Sequence, residues 1–423
     1  MKRYKFETLQ VRAGQEIDPQ SKGTSVPIYQ STAYVFDSIE SGADLFALKT
    51  PGNIYTRITN TTTDVFEKRM AALENGVAAT ATASGHSAVF LSVVNICSLG
   101  DNIVSSPFLY GGTHTLFSST LKDMGINVRF AEADTAEAIA KCIDEKTKII
   151  YLEHLGNPAF NIPDYEPIIE LANRKHICVI VDNTFGCGGY LFRPIDWGAN
   201  VSVHSATKWI CGHGTALGGI VIDGGNFDWD AEKYPQLAAP AESYHGLVYK
   251  EVFGNGCFAG RVRVEGLRNF GPSISPFNSF LMLQGLETLS LRAQRCCDNT
   301  MAIADALSAD SAVESVNYPG LKDNPYHNLA NKYMQNGYGA VLTFRLKGGF
   351  EAAADLIRRL ELILHVSSVG DSKTLIIHPA STTHSQLSEK EQIECGVYPN
   401  MLRLSVGIEN VDDLITDLQQ ALH

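Results

Sequence analysis

The run Val201-Ser-Val-His-Ser is strand-like and stops abruptly at Ala206-Thr-Lys208. Small hydroxyl residues flank the lysine, with Ser205 three positions before it and Thr207 one. Both hydroxyls are near enough to hold a dianionic phosphate while the amine reaches a carbonyl carbon. A lysine nucleophile with phosphate donors beside it is what a pyridoxal-phosphate Schiff base requires. A lone lysine after an edge strand is more simply a surface lysine, so a second signal has to decide.

That signal is Ile177-Cys-Val-Ile-Val-Asp182. Five apolar residues bounded by polar ones predict a buried parallel strand, which puts Asp182 at its carboxyl end, where open α/β sheets place ligands. A carboxylate there can pair with a protonated pyridine nitrogen and keep the ring an electron sink. Asp182 on its own reads equally as a turn or capping residue. With Lys208 lying 26 positions downstream, after another short strand, the cofactor reading leads.

The elements that must position these groups alternate from Gly76 to Ile222. Strand-like runs start at Asn102, Val128, Lys148, Ile177 and Val201, and the segments from Thr113, Thr135 and Asp164 carry helical spacing. Such alternation predicts an α/β domain, a mostly parallel sheet with helices on both faces. Three turns in it carry chemistry. Ser84-Gly85-His86-Ser87 opens a helix that runs through Val94, so its amides form a phosphate seat, and Gly85 permits close backbone approach. Tyr110-Gly-Gly-Thr113 presents a ring able to stack on a flat cofactor. Glu153-His-Leu-Gly-Asn157-Pro158 ends a strand with an amide at the same sheet edge. Taken singly, each is also an ordinary cap, core tyrosine or turn asparagine.

Residues 1–60, rich in Gly, Pro, Thr and Tyr without sustained periodicity, read as an extended arm. In it Tyr55 and Arg57, two apart, point the same way and together suit a phosphate, although on the arm alone a solvated loop is the simpler reading. Residues 223 to about 270 are irregular and mark the domain connection. A long helical pattern then spans Phe277 to Leu307. Strand-like Ala340–Phe344, Leu375–His378 and Leu402–Val406 follow, with helices from Phe350 and Val411, as in a smaller α+β domain. Arg403 interrupts an apolar strand, where a charge is costly unless paired with a substrate carboxylate or an internal acid. The expected units are therefore 1–60, 61–270 and 271–423.

The chain has 423 residues, 44% apolar and 19% charged, an ordinary globular composition long enough for two or three domains. Its formal net charge of −12 argues against a nucleic-acid partner. No run of about eighteen apolar residues predicts a membrane span, and the start carries no signal-peptide core. The nine cysteines are odd in number and scattered, which reads as reduced thiols in a cytoplasmic protein. Neither Cys296-Cys297 nor the dispersed histidines have the loop spacing of a zinc site, and no metal is expected. No Gly-rich dinucleotide fingerprint or Walker loop is present.

Tyr55-Thr-Arg57, Ser84-Gly-His-Ser-Ala88, Tyr110-Gly-Gly-Thr113, Gly156-Asn157-Pro158, Val181-Asp182-Asn-Thr184, Ser205-Ala-Thr-Lys208, His378 through His384 and Arg403 through Glu409 follow one another in this order. Over nearly the whole chain this resembles the Cys/Met-metabolism family of fold-type I pyridoxal-phosphate enzymes. The resemblance implies a large domain with a mostly parallel seven-stranded sheet and a smaller C-terminal α+β domain. It implies that Lys208 carries the cofactor, that Asp182 pairs with its pyridine nitrogen and that Tyr110 stacks on its ring. Phosphate would be held by the Gly85 and His86 amides, Ser205 and Thr207, with Tyr55 and Arg57 donated by a neighbouring subunit of a homotetramer. Asn157, Ser368 and Arg403 would orient the amino-acid carboxylate and the O3′ side.

His86 departs from the glutamine or methionine expected there, so only its backbone role carries over. Within the family, the length and the stretch from Glu242 through Asn278 are most similar to the O-acetylhomoserine sulfhydrylase branch. That similarity implies γ-replacement of acetate by sulfide, giving homocysteine. Cystathionine γ-synthase and the γ-lyases share the same site residues, and a noncatalytic regulatory protein on this scaffold is the remaining alternative.

Overall fold

The computed structural model describes the chain apart from residues 1–3, 386–387 and 395. A seven-stranded sheet is built from β1 (Ala78–Thr82), β2 (Asn102–Ser105), β3 (Asn127–Phe130), β4 (Thr147–Glu153), β5 (Cys178–Asp182), β6 (Val201–Ser205) and β7 (Gly219–Asp223). Their order is β1-β7-β6-β5-β4-β2-β3, and only β7 runs antiparallel to its neighbours. The mostly parallel sheet expected from the sequence is therefore present. Its central strand β5 is apolar from Cys178 to Val181 because both faces are covered. Val179 and Val181 face one core with Tyr165, Ile168 and Phe192, while Cys178 and Ile180 face another with Phe117, Tyr234 and Phe258. Fully burying such a side chain contributes roughly 1.5–3 kcal/mol, and the strand ends inherit that rigidity.

Five further strands form a second sheet: β8 (Val313–Asn317), β9 (Val341–Leu346), β10 (Leu364–His365), β11 (Leu375–Ile377) and β12 (Met401–Ser405), in the order β10-β11-β12-β9-β8. Arg403 lies at the centre of β12, paired with Ile377 on one side and Thr343 on the other.

Two expectations are corrected. The helical pattern from Phe277 to Leu307 is two helices, Pro276–Glu287 and Leu289–Ala309, meeting at Thr288. The first presses on the backbone just past Lys208. A Cβ on Gly285 would fall 2.2 Å from the Ile210 carbonyl oxygen, so only glycine allows this approach. From the second helix Arg292 donates to the Trp209 carbonyl at 3.0 Å, clamping the residue after Lys208. The first sixty residues are also not uniformly extended: they include helices Phe6–Arg12 and Ile39–Phe46, and Arg57 sits in a turn closed by Ile58 and Thr59 N–H on the Tyr55 carbonyl.

The eight described cysteines form no disulfide, and Cys395 lies outside the described residues. Among the described residues no helix is long and apolar enough to cross a membrane.

Candidate active site

Parallel strands β4, β5 and β6 end side by side, which sets Glu153, Asp182 and Ser205 along one edge of the sheet. Above this edge lies a cavity of about 340 Å³. Gly85, His86, Tyr110, Asn157, Asp182, Ser205, Thr207, Lys208, Ser368 and Arg403 all line it. Tyr55 and Arg57 do not. They pack on each other, with the guanidinium 5.6 Å from the ring centroid, and Arg57 donates to the Arg268 carbonyl.

At one end of the cavity, Ser84 caps the helix Gly85–Val94 by accepting from Ser87 N–H at 3.1 Å, which turns the helix N-terminus toward the space. A Cβ on Gly85 would lie 2.6 Å from Ser205 Cβ, so glycine alone lets the helix amides and the Ser205 hydroxyl converge. The Thr207 hydroxyl faces the same end but exchanges bonds with Gly218, donating to its carbonyl and accepting from its N–H, each at 3.2 Å. To reach an anion it must redirect its proton.

Asp182 is held by Thr184, whose hydroxyl donates to Oδ1 at 2.6 Å and whose backbone N–H donates at 3.0 Å. The same hydroxyl accepts from Ser205 N–H at 2.9 Å, so Thr184 joins the ends of β5 and β6. Burial raises the Asp182 pKa, and the Thr184 bonds and the charges of His204 and His86 oppose that rise. Beside it Glu153 accepts from Tyr110 N–H at 2.7 Å, fixing the aromatic residue that begins the next helical turn. Burial, then the charge of Asp182, holds the Glu153 carboxyl well above the usual range.

Lys208 Nζ donates to Ser368 Oγ at 3.3 Å, and burial followed by the Arg403 charge lowers its pKa. Arg403 donates to Asn157 Oδ1 at 3.0 Å and to the Ser368 carbonyl at 3.3 Å. It is 4% exposed, its Nε has no hydrogen-bond partner, and no ion pair includes it among the described residues. A buried guanidinium without a carboxylate is half of an ion pair. Burial lowers its pKa to about 10, which leaves it charged at neutral pH.

This donor set fits pyridoxal phosphate. Helix amides and Ser205 could take the phosphate, Asp182 the ring nitrogen, Tyr110 the ring face and Lys208 the aldehyde carbon. Sequence reasoning passed over Thr184, Glu153, Thr113 and Thr383 as site residues. Thr184 had a usable signal, since a threonine two residues after an aspartate at a strand end is placed to bond it. Thr383 lies within the His378–His384 run, but only the folding of the C-terminal segment over the large sheet brings it to the cavity.

The profile of the family described as Cys/Met metabolism PLP-dependent enzyme matches residues 7–423. O-acetyl-L-homoserine sulfhydrylase 1 of Thermus thermophilus is 53% identical over 99% of this chain and 100% of its own. Homocysteine synthase of Schizosaccharomyces pombe is 50% identical over 99% and 98%. A Campylobacter jejuni protein assigned as O-acetylhomoserine (thiol)-lyase, whose crystal structure carries N'-pyridoxyl-lysine-5'-monophosphate, superposes with a TM-score of 0.96 at 41% identity, over 99% of this chain and 100% of that one. Site and similarity agree over the whole length, and the chain belongs to the Cys/Met-metabolism family of pyridoxal-phosphate-dependent enzymes.

Proposed function

We infer that the protein replaces the acetate of O-acetyl-L-homoserine with sulfide, giving L-homocysteine and acetate. The observation that carries this reading is full-length similarity to O-acetyl-L-homoserine sulfhydrylase 1 at 53% identity, and the cavity supports its amino-acid part by joining an amine base and a carboxylate receptor: Lys208 Nζ bonds the Ser368 hydroxyl and Arg403 bonds the Ser368 carbonyl. An α-amino acid whose carboxylate lies on Arg403 has its α-carbon near Lys208.

Bound pyridoxal phosphate supplies the electron sink that stabilises negative charge on the substrate's α-carbon. The protein's residues do the rest. Arg403, aimed by Asn157, takes the carboxylate with its planar fork. Lys208, its pKa lowered by burial and by Arg403, is a suitable base to remove the α-proton. Asp182, tied down by Thr184, keeps a proton on the ring nitrogen opposite it. After the Lys208 amine has moved a β-proton as well, acetate leaves the γ-carbon with its bonding electrons, hydrosulfide takes its place, and protons return to the β- and α-carbons.

Tyr55 and Arg57 act on a neighbouring copy's phosphate in this reading. Their exclusion from their own chain's cavity supports it, as does an arm that leaves Val35 97% and Ile39 88% exposed. The assembly is then at least a dimer, and a homotetramer is what the family resemblance implies. Residues 1–60, 61–270 and 271–423 serve as arm, cofactor domain and C-terminal domain. Eight cysteines free of disulfides support a cytoplasmic location.

The test is a competition. Purified protein with pyridoxal phosphate and O-acetylhomoserine is offered sulfide and cysteine together, and the products are separated by mass. Homocysteine as the main product is expected. Cystathionine would reassign the nucleophile, and 2-oxobutyrate alone would make the protein a lyase.

A further inference from the structure

A second constellation lies under the site, on the far face of the sheet. Asp182 pairs in register with Val203, so His204, the next residue along β6, points to the opposite face. There it meets Glu74, which caps the helix Thr61–Leu73, and both side chains are 0% exposed. Glu74 Oε1 accepts from His204 Nε2 at 2.9 Å and from Asn183 Nδ2 at 2.7 Å. Asn183 directly follows Asp182, and His204 directly precedes Ser205.

Asn183 is held through its backbone and amide N–H groups, while its Oδ1 is buried without a hydrogen-bond partner. Its backbone N–H donates to the Val203 carbonyl at 2.8 Å, its Nδ2 also reaches the Phe192 carbonyl at 2.8 Å, and a Cβ on Gly186 would sit 2.1 Å from its Oδ1. The ends of β5 and β6 are thus joined twice, by Thr184 on the cavity face and by Glu74 on the far face. Glu74 leaves its second oxygen buried without a hydrogen-bond partner, a costly placement for a carboxylate that only packs.

We propose that Glu74 is a positioning residue for the cofactor: by holding Asn183 and His204 through one oxygen, it sets the spacing between Asp182 and Ser205. This rests on the pyridoxal-phosphate reading of the cavity. Asp182 faces the ring end and Ser205 the phosphate end, so a shift between the two strand ends misplaces one anchor against the other. A few tenths of an ångström matter for groups that must act together.

The test is uptake of pyridoxal phosphate, and of phosphate-free pyridoxal, by the cofactor-free full-length chain. Affinity and the visible circular dichroism of the bound cofactor are read, with thermal midpoints of the cofactor-free chains alongside. E74A should weaken pyridoxal phosphate by about tenfold or more and change the dichroism. E74Q, whose amide oxygen accepts the same two bonds, should stay within about threefold of wild type. A lower midpoint in E74A with affinity and dichroism unmoved would overturn the proposal, as would E74Q binding as weakly as E74A.

If E74A does not fold, N183A and H204A cut one tie each. N183A should weaken both probes and H204A only the phosphorylated one; unchanged affinities in both variants also overturn the idea. Wild-type protein that takes up neither probe would sink the cofactor reading instead.

Discussion

Arg403 Nη1 donates to Asn157 Oδ1 at 3.0 Å, which ties the central strand of the small sheet to the loop after β4 across 246 positions. The contact aims a guanidinium that burial leaves without an acid partner among the described residues. Replacing Arg403 with alanine should raise KM for O-acetylhomoserine by about a hundredfold, roughly 3 kcal/mol, and change kcat less. R403K keeps the charge without the fork and should recover only part of the loss. Steady-state kinetics at fixed sulfide decide it, and an unchanged KM would contradict the role.

Among the described residues, Lys208 is the only lysine that lines the cavity. K208A should abolish covalent attachment of the cofactor and lower turnover by on the order of 10⁴-fold. Borohydride reduction followed by peptide mass mapping checks the first outcome and a coupled thiol assay the second. Substantial turnover in K208A would remove the lysine from the chemistry.

Thr184 spends one hydroxyl on two partners, Asp182 Oδ1 at 2.6 Å and Ser205 N–H at 2.9 Å. T184V keeps the shape and loses both bonds. Cofactor affinity should fall by about tenfold, read by titrating the cofactor-free chain, and T184S should restore most of it. Equal affinities in T184V and wild type would show that the backbone alone holds Asp182.

Asp134 is nearly buried, bonded to Asn161, and burial raises its pKa from 3.8 to about 6. The folded chain binds this proton more tightly than the unfolded chain does. Its stabilising contribution is therefore complete below about pH 4 and is lost as pH rises through about 6. D134N lacks this dependence. The stability of wild type relative to D134N should drop by about 2 kcal/mol between about pH 4 and about pH 7. Urea unfolding of both cofactor-free chains at the two pH values measures the difference, and a constant difference would place the Asp134 titration elsewhere.

The sequence by itself determined the chemistry and the scaffold under it. An apolar run ending at Asp182, a capped helix start at Gly85 and small hydroxyls before Lys208 are local patterns, because strand period, helix capping and side-chain spacing depend on neighbours a few residues apart. Only the tertiary structure decided which distant groups meet. Ser368 reaches Lys208, Arg403 reaches Asn157 and Glu74 reaches both Asn183 and His204 because burial of three apolar cores closes long stretches of chain over one sheet edge. The break at Thr288 and the turn at Arg57 have the same origin. Helical period continues through the first and extended spacing through the second, but distant groups hold both: Gly285 packs on the Ile210 carbonyl beside the break, and the turn is tied by the Thr56 N–H to the Thr32 carbonyl and by Arg263 to the Ile58 carbonyl, each at 2.9 Å.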